Sequence, residues 1–400
     1  MSKLQISTRA SNLPMSAVRK LTAYANACKA EGVKIYHLNI GDPDVKTPKE
    51  MLDVLGKWEI NPIRYAASVG EPVFLTALEK YYQNLGYKFI DTKHIIATIG
   101  GSEALLMAFF MVAEVGEEIL SFEPFFSNYQ VIAATTGTKI VGIPTHLEEG
   151  FHLPSEKVIE KYITPKTKAI LYTSPNNPTG TVYTEKEVRM LVDIAKKHNL
   201  FLLSDEVYRE FIFSGVKHSS LLDYFKEIPE KAILLDSLSK RYGLCGARQG
   251  ILISMNEDVI LGVTKMAQSR LSGSLIDQVM AAKMTDVPES YLRQTNIEYH
   301  KRRDYVYGRL KNMKGVEVSL PEGAFYMMAK LPVKSSEEFC VWLLTTFRDK
   351  NQTLMLAPAP GFYATPGKGE SEIRIAYVLN LKDLDRAMDL LEMGLEAYKK

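Results

Sequence analysis

The sequence predicts an α/β protein with a seven-stranded, mostly parallel sheet that helices cover on both faces. The first observation is a series of seven short apolar or β-branched runs, each ending in small or polar residues. The second is that helix-period segments, such as residues 102–116 and 184–199, separate these runs. Strands that alternate with helices at this spacing favour parallel pairing. The runs lie at residues 94–100, 117–124, 138–145, 168–175, 200–208, 231–239 and 249–255.

The third observation is a change of pattern after about residue 290. A long, charged, helical stretch at 291–313 leads to short strand-like pieces at 316–320, 324–331 and 371–379. Four hundred residues also exceed what one hydrophobic core usually fills. We therefore expect a large domain over residues 46–288, and a smaller α+β domain formed by residues 289–400 with the N-terminal segment 1–45.

Composition narrows the class of protein. The apolar fraction of 46%, the charged fraction of 24% and the net charge of +2 are ordinary for a soluble globular chain, and they favour neither nucleic acid nor a membrane as partner. The N-terminus lacks the apolar core of a signal peptide, and the apolar run 104–113 is too short to span a bilayer, so a buried helix is expected there. Three distant cysteines suit a reducing cytoplasm, and seven scattered histidines give no support for a metal site.

Chemistry is expected at the polar ends of the predicted strands, because ligands of such folds bind at the carboxyl edge of the sheet. The relevant motifs are TIGGSEAL (98–105), SPNNPTG (174–180), SDEVY (204–208) and SLSK (237–240). Each has an ordinary interpretation when taken alone: a tight turn, a β-turn, a helix-capping aspartate and a surface lysine.

Taken together, these motifs indicate one cofactor. A partly desolvated lysine, Lys240, can form a Schiff base with a carbonyl compound. Ser237, Ser239 and Arg248 offer hydroxyls and a guanidinium suited to a phosphate. A carboxylate such as Asp205, next to a buried strand, needs a cationic or hydrogen-bonding partner to stay ionised. A carbonyl, a phosphate and a cationic ring nitrogen describe pyridoxal 5'-phosphate (PLP).

With these motifs in this order and spacing, the sequence resembles the class I aminotransferases of the aspartate aminotransferase fold (fold type I of the PLP enzymes) over nearly its whole length. The resemblance implies that Lys240 holds PLP as a Schiff base and shuttles the proton, and that Asp205 pairs with the pyridinium nitrogen. It also implies that Tyr208 and Asn177 bind the phenolic oxygen of the cofactor. Phe126 would stack on the ring, where Trp or Tyr is common in the family. The residues implied to bind the phosphate are Gly101, Ser102, Glu103, Ser237, Ser239 and Arg248.

The resemblance further assigns the substrate side. Arg374 would bind the substrate α-carboxylate beside the backbone of Gly41, and Tyr65 would reach the phosphate of a neighbouring subunit, which implies a homodimer with shared active sites. For a dicarboxylic substrate, Arg270 is the candidate second cation, and Arg19 is a weaker one. Arg241, directly after the lysine, departs from the family pattern, and a solvent-facing side chain is the expectation for it.

The implied activity is ping-pong transamination between an L-amino acid, for which aspartate or glutamate is expected, and a 2-oxo acid such as 2-oxoglutarate. Transamination of aromatic amino acids or alanine stays open, as does a PLP-dependent C–S β-lyase or decarboxylase on the same fold. A PLP-sensing regulatory protein usually carries a DNA-binding module, for which this chain has neither the length nor a basic face. A dinucleotide-binding oxidoreductase is disfavoured, because the α/β unit has no G-x-G-x-x-G after its first strand.

Overall fold

The computed structural model describes residues 4–16, 19–213 and 215–398. The strands are β1 Lys34–His37, β2 Ile95–Ile99, β3 Glu118–Glu123, β4 Lys139–Pro144, β5 Thr167–Thr173, β6 Phe201–Asp205, β7 Ala232–Ser237, β8 Gln249–Ser254, β9 Glu317–Val318, β10 Tyr326–Lys330, β11 Gln352–Met355, β12 Ala357–Pro358 and β13 Glu372–Ala376.

The α-helices are α1 Thr8–Ser11, α2 Thr22–Ala30, α3 Lys49–Gly56, α4 Pro72–Asn84, α5 Gly100–Val112, α6 Asn128–Thr136, α7 Glu156–Glu160, α8 Glu185–Lys197, α9 Leu238–Arg241, α10 Glu257–Ser269, α11 Leu275–Ala282, α12 Glu289–Asn312, α13 Ser336–Thr345 and α14 Leu381–Ala397. Short 3-10 helices lie at Thr92–His94, Leu147–Glu149, Leu221–Tyr224, Cys245–Ala247, Lys283–Asp286 and Ala359–Phe362.

The predicted seven-stranded sheet is confirmed, and each of the seven apolar runs supplies one strand. The strand order is β2-β8-β7-β6-β5-β3-β4. Strands β7, β6, β5, β3 and β4 run parallel, while β8 is antiparallel to both of its neighbours. The carboxyl ends of β5, β6 and β7 therefore meet at one edge, where SPNNPTG, SDEVY and SLSK begin.

Helices cover both faces of this sheet, which explains why its central strands are apolar throughout. In β7, Leu234 packs into one hydrophobic core, while Ile233 and Leu235 point into another on the opposite face. Helix α5 contributes Leu105 and Phe109 to the second core, so the apolar run 104–113 forms the buried helix that its length predicted.

The C-terminal part has the α+β character expected after residue 290. The charged stretch forms α12, and β12-β13-β10-β9 make a four-stranded antiparallel sheet over a third hydrophobic core. Strand β1 from the N-terminal segment pairs in parallel with β11. The domain boundaries at residues 45/46 and 288/289 remain a prediction. Within the described residues, no helix is long and apolar enough to cross a membrane.

Candidate active site

Lys240 lies on the single turn α9, directly after the central strand β7. Ser237 caps this turn: its Oγ accepts from the Ser239 amide at 3.1 Å and donates to the Gln249 carbonyl at 2.9 Å. The Lys240 Nζ donates to the Gly41 carbonyl at 2.7 Å and lies 3.6 Å from the Cys245 Sγ. The amine is therefore fixed at the carboxyl edge of the sheet, where the sequence predicted it.

Gly41 is necessary at this place because the chain passes against another side chain. A Cβ built on Gly41 would lie 1.7 Å from the Tyr326 hydroxyl, which no side chain could tolerate. Gly41 thus brings its carbonyl to Lys240 and leaves room for the tyrosine.

Asp205 ends β6 as a buried carboxylate. Its Oδ2 accepts from the Tyr129 hydroxyl at 2.7 Å and its Oδ1 from the Val207 amide at 3.4 Å, and no ion pair with a described residue reaches it. Desolvation raises the pKa of Asp205 to about 6, against the smaller opposing effect of these hydrogen bonds. Such a carboxylate is suited to a cationic N–H of a ligand.

Tyr129 is a site residue that the sequence analysis missed. Its hydroxyl also lies 2.5 Å from the Thr173 Oγ1, and its ring makes an edge contact with Phe126. It stands on α6, three residues after Phe126, where a buried aromatic would ordinarily be assigned to the core.

Arg374 and Asn177 form the other side of the site. The Arg374 Nη1 donates to the Asn177 Oδ1 at 2.9 Å, and its Nη2 donates to the Asn39 carbonyl at 2.5 Å. The guanidinium lies between the rings of Tyr326 and Phe362, 4.5 and 4.9 Å from their centroids. Burial lowers the pKa of Arg374, and its Nε has no hydrogen-bond partner among the described residues.

Tyr208 is connected to this arginine through Tyr326. The two hydroxyl groups lie 2.9 Å apart, and their rings meet edge to face. The Tyr326 ring thus contacts Arg374 while its hydroxyl contacts Tyr208.

Another part of the site brings together a helix start and a guanidinium, groups that are suited to an anion. Gly100, with φ +71°, opens α5, so the amides of Gly101 and Ser102 stand at a helix N-terminus. Arg248 has φ +53° and donates from Nη1 to the Cys245 carbonyl at 3.0 Å. A Cβ on Gly100 would lie 2.2 Å from the Arg248 Nη2, so glycine allows the guanidinium to approach the helix start.

One cavity joins these groups, and ten of the predicted residues line it. Those ten are Gly101, Ser102, Phe126, Asn177, Asp205, Tyr208, Ser237, Ser239, Lys240 and Arg248; the other lining residues are Leu105, Thr173, Val207 and Cys245.

Six of the predicted residues lie outside this lining: Gly41 and Arg374, described above, and Glu103, Arg270, Tyr65 and Arg19. The Glu103 carboxylate accepts from the Ile99 amide at 2.6 Å and lies 3.1 Å from the Arg270 Nε. Arg270 also donates to the Ala97 carbonyl at 2.7 Å, while its Nη1 is buried without a hydrogen-bond partner among the described residues. Tyr65 is 81% exposed, and Arg19 is exposed in the N-terminal segment.

The expectation that Arg241 faces solvent was wrong. Its side chain is completely buried and its Nη2 donates to the Asp236 carboxylate at 2.5 Å. A buried aspartate at the end of a buried strand needs a cation, and Arg241 supplies it.

The comparisons with known proteins point in one direction. The family model described as aminotransferase class I and II matches residues 33–391. An aspartate aminotransferase of Pyrococcus horikoshii is 31% identical over 99% of both chains. An aromatic-amino-acid aminotransferase of Thermococcus litoralis is 30% identical over 99% of this chain and all of its own. Among solved structures, an alanine aminotransferase from Pyrococcus furiosus superimposes with a TM-score of 0.88 at 27% identity, covering 98% of this chain and all of the other.

Proposed function

Since the chain belongs to the aminotransferase class I and II family and is a PLP-dependent aminotransferase, we propose that it moves the amino group of an L-amino acid to a 2-oxo acid at the Lys240 cavity. The proposed donor is aspartate or glutamate, and 2-oxoglutarate is a proposed acceptor. The observation that carries this proposal is that Lys240, Asp205 and Asn177 line one cavity, and that Asn177 accepts a hydrogen bond from the buried Arg374 guanidinium. A base and a partner for a ring cation then face one space, and a carboxylate-binding guanidinium is joined to its wall.

The residues fit PLP. Asp205, whose buried carboxylate has no ion pair within the described chain, would bind the pyridinium N–H. The hydroxyls of Ser237 and Ser239, the guanidinium of Arg248 and the amides at the start of α5 would hold the phosphate. When bound, PLP supplies an electron sink for the charge that develops at the substrate α-carbon.

The protein groups then have separate tasks. Lys240, once its amine is free, moves the proton at the α-carbon as a general base. Arg374 binds the substrate α-carboxylate with the guanidinium that Asn177, Tyr326 and Phe362 hold in place. Tyr208 and Asn177 would donate to the phenolic oxygen of the cofactor, and Phe126 would cover its ring.

A dicarboxylic donor also needs a second cation, and Arg270 is the proposed one. Its buried Nη1 has an unused N–H, although Glu103 already occupies the Nε side. The P. horikoshii relative is named for aspartate, whereas the T. litoralis and P. furiosus proteins are named for aromatic amino acids and alanine. Transamination of these neutral donors is therefore the second candidate.

Shared active sites in a homodimer are part of the proposal. Tyr65 is 81% exposed, and four exposed apolar side chains precede it in the sequence: Leu52, Leu55, Ile60 and Ile63. A second copy of the chain would cover these apolar groups and bring Tyr65 to the neighbouring cavity.

An absorbance spectrum tests the function. Aspartate is added to the PLP-loaded protein with no 2-oxo acid present. We expect the visible band of the bound cofactor to disappear with release of about one oxaloacetate per site, because a ping-pong half-reaction is stoichiometric. A band that only aromatic amino acids or alanine discharge contradicts the dicarboxylic donor, and steady release of pyruvate and ammonia from cysteine indicates the lyase. No band after PLP is added contradicts the role of Lys240.

A further inference from the structure

We propose that Arg241, through its buried ion pair with Asp236, is a positioning residue for the cofactor-binding turn; the inference rests on the proposed function of Lys240. Asp236 and Arg241 flank the segment 237–240, which carries Ser237, Ser239 and Lys240. The ion pair thus joins the end of β7 to the end of α9 through their side chains, with the cofactor-binding turn between them.

The contacts of Asp236 show how the turn is held. One carboxylate oxygen, Oδ1, accepts from the Ser237 amide at 2.7 Å. The other, Oδ2, accepts from the Arg241 Nη2 at 2.5 Å and from the Tyr82 hydroxyl at 2.7 Å. Both side chains of the ion pair are completely buried. A displaced Asp236 would therefore move the backbone of Ser237, whose hydroxyl caps the turn and lines the cavity.

Arg241 in turn is held from the side of α4 and the segment after β6. Its Cζ lies 4.3 Å from the centroid of the Tyr81 ring, and its Nε lies 3.8 Å from the Glu210 Oε1. The Tyr81 hydroxyl donates to the same glutamate. The guanidinium is thus held by the Tyr81 ring and by the carboxylates of Asp236 and Glu210, and these contacts limit the freedom of the turn that Arg241 ends.

The same network reaches the residue that would bind the pyridinium. Glu206 comes directly after Asp205, and its Oε2 lies 3.6 Å from the Arg209 Nη1. The Arg209 Cζ in turn lies 5.4 Å from the centroid of the Tyr82 ring. Tyr82 is also a donor to Asp236. The ends of β6 and β7 are thus joined beneath the cavity by buried charges and tyrosines, with Arg241 as the cation nearest to Lys240 in sequence.

This arrangement predicts an effect on cofactor geometry that is separate from fold stability. An error of about 1 Å in a catalytic group can cost on the order of 100-fold in rate. We therefore expect Arg241→Met to weaken PLP binding and to slow the half-reaction by about 100-fold, and to change the circular dichroism of the cofactor band. Arg241→Lys, which keeps the charge, should recover part of both effects.

The experiment measures the PLP dissociation constant, the circular dichroism of the cofactor band and thermal unfolding on the same samples. Arg386→Met is the matched control, because Arg386 is also ion-paired, with Asp349, and lies on α14 outside the cavity lining. The control should lower the unfolding temperature and leave the PLP dissociation constant and the dichroism unchanged. A folded Arg241→Met that keeps the PLP affinity and dichroism of the unaltered chain overturns the inference, and so does a control that shifts them as much.

A second variant covers the case in which Arg241→Met does not fold. The double variant Asp236→Asn with Arg241→Met removes both charges, so no unpaired ion is left buried. We expect it to fold and to bind PLP more weakly, and unchanged PLP affinity in it overturns the inference. If the unaltered chain shows no cofactor band, the proposed function fails rather than this inference.

Discussion

The Arg374 Nη1 donates to the Asn177 Oδ1 at 2.9 Å, across the gap between β13 and the turn that follows β5. The two residues are 197 positions apart in the chain; Arg374 lies in the small sheet, and Asn177 follows a strand of the large one. A guanidinium held on one side by an amide and between two rings is already oriented before a carboxylate arrives. Less conformational entropy is then lost on substrate binding.

The first prediction concerns this fork. Arg374→Lys should lower kcat/KM for every amino acid and 2-oxo acid by about 100-fold, because a lysine cannot form the bidentate carboxylate contact. The PLP dissociation constant should change little, since Arg374 does not line the cofactor cavity. Steady-state kinetics with two donors and a PLP titration provide the measurement. A loss confined to one donor would mean that Arg374 binds a side chain instead of the common α-carboxylate.

The second prediction uses the buried carboxylate of Asp205. Its folded-state pKa is raised from 3.8 to about 6, so the cofactor-free protein is destabilised by ionisation of this group. This loss of unfolding free energy is absent below about pH 4 and grows as the pH rises towards 6. At higher pH it is constant at about 3 kcal/mol. Cofactor-free Asp205→Asn should therefore be more stable than the unaltered chain at pH 8, and no more stable at pH 4.

Urea unfolding at the two pH values checks this, with the PLP-loaded proteins as the control. In the loaded pair the order should reverse, because the unaltered aspartate then has its cationic partner. Equal pH dependence of the two cofactor-free proteins would show that the carboxylate bears no such cost.

The large sheet could be predicted from the sequence, since each of the seven apolar runs forms one of its strands and the carboxyl ends of all these strands except β8 lie at one edge. The sequence did not reveal polar contacts between side chains that are far apart in the chain. Tyr129 gave no signal of its bond to Asp205, 76 residues away. Arg241 resembled a surface cation until the fold placed it against Asp236, and only the fold showed that Glu103 faces Arg270. Helix and strand periodicity report which face is buried, but not which polar groups meet there.

The third prediction separates the donor classes. If Arg270 binds the distal carboxylate, Arg270→Met should lower kcat/KM for aspartate by about 10- to 100-fold, since a charge-assisted contact contributes about 1.5–3 kcal/mol. The kcat/KM for phenylalanine should change by no more than about threefold, because a neutral donor makes no charge-assisted contact with Arg270. Glu103→Gln is the matched control: it removes the carboxylate beside the Arg270 guanidinium, and kcat/KM for aspartate should then rise. An equal fall for both amino acids would assign Arg270 a structural role with Glu103.

The fourth prediction is a pH dependence of stability at His152. Its Nδ1 lies 3.0 Å from Glu187, and its Nε2 lies 3.5 Å from Glu322. Hydrogen bonds to these two carboxylates raise the pKa of His152 to about 10, so the stabilisation is complete below the ordinary value of 6.5 and is lost as the pH rises through 10. Because the ring is 34% exposed, solvent screening reduces this contribution to about 1–2 kcal/mol.

Unfolding free energies of the unaltered chain and His152→Gln at several pH values provide the measurement. The difference in unfolding free energy should be largest below the ordinary pKa of 6.5, should decrease as the pH rises, and should vanish above about pH 10. A difference that stays constant up to that pH would mean that packing, and not the charge, explains the effect.

The fifth prediction tests the shared active site. Lys240→Ala removes the essential amine, and Tyr65→Ala should weaken PLP binding at whichever cavity the tyrosine serves. The two variants are mixed, dissociated and reassociated.

If Tyr65 serves the neighbouring subunit, one site of each hybrid dimer combines the native Lys240 of one chain with the native Tyr65 of the other. PLP affinity equal to that of the unaltered chain should then return at one of the two sites. If Tyr65 serves its own chain, no native site can form in the hybrid, and the PLP affinity stays that of Tyr65→Ala. A tagged-subunit pull-down that finds no hybrid, with each chain sedimenting as a monomer, would contradict the homodimer itself.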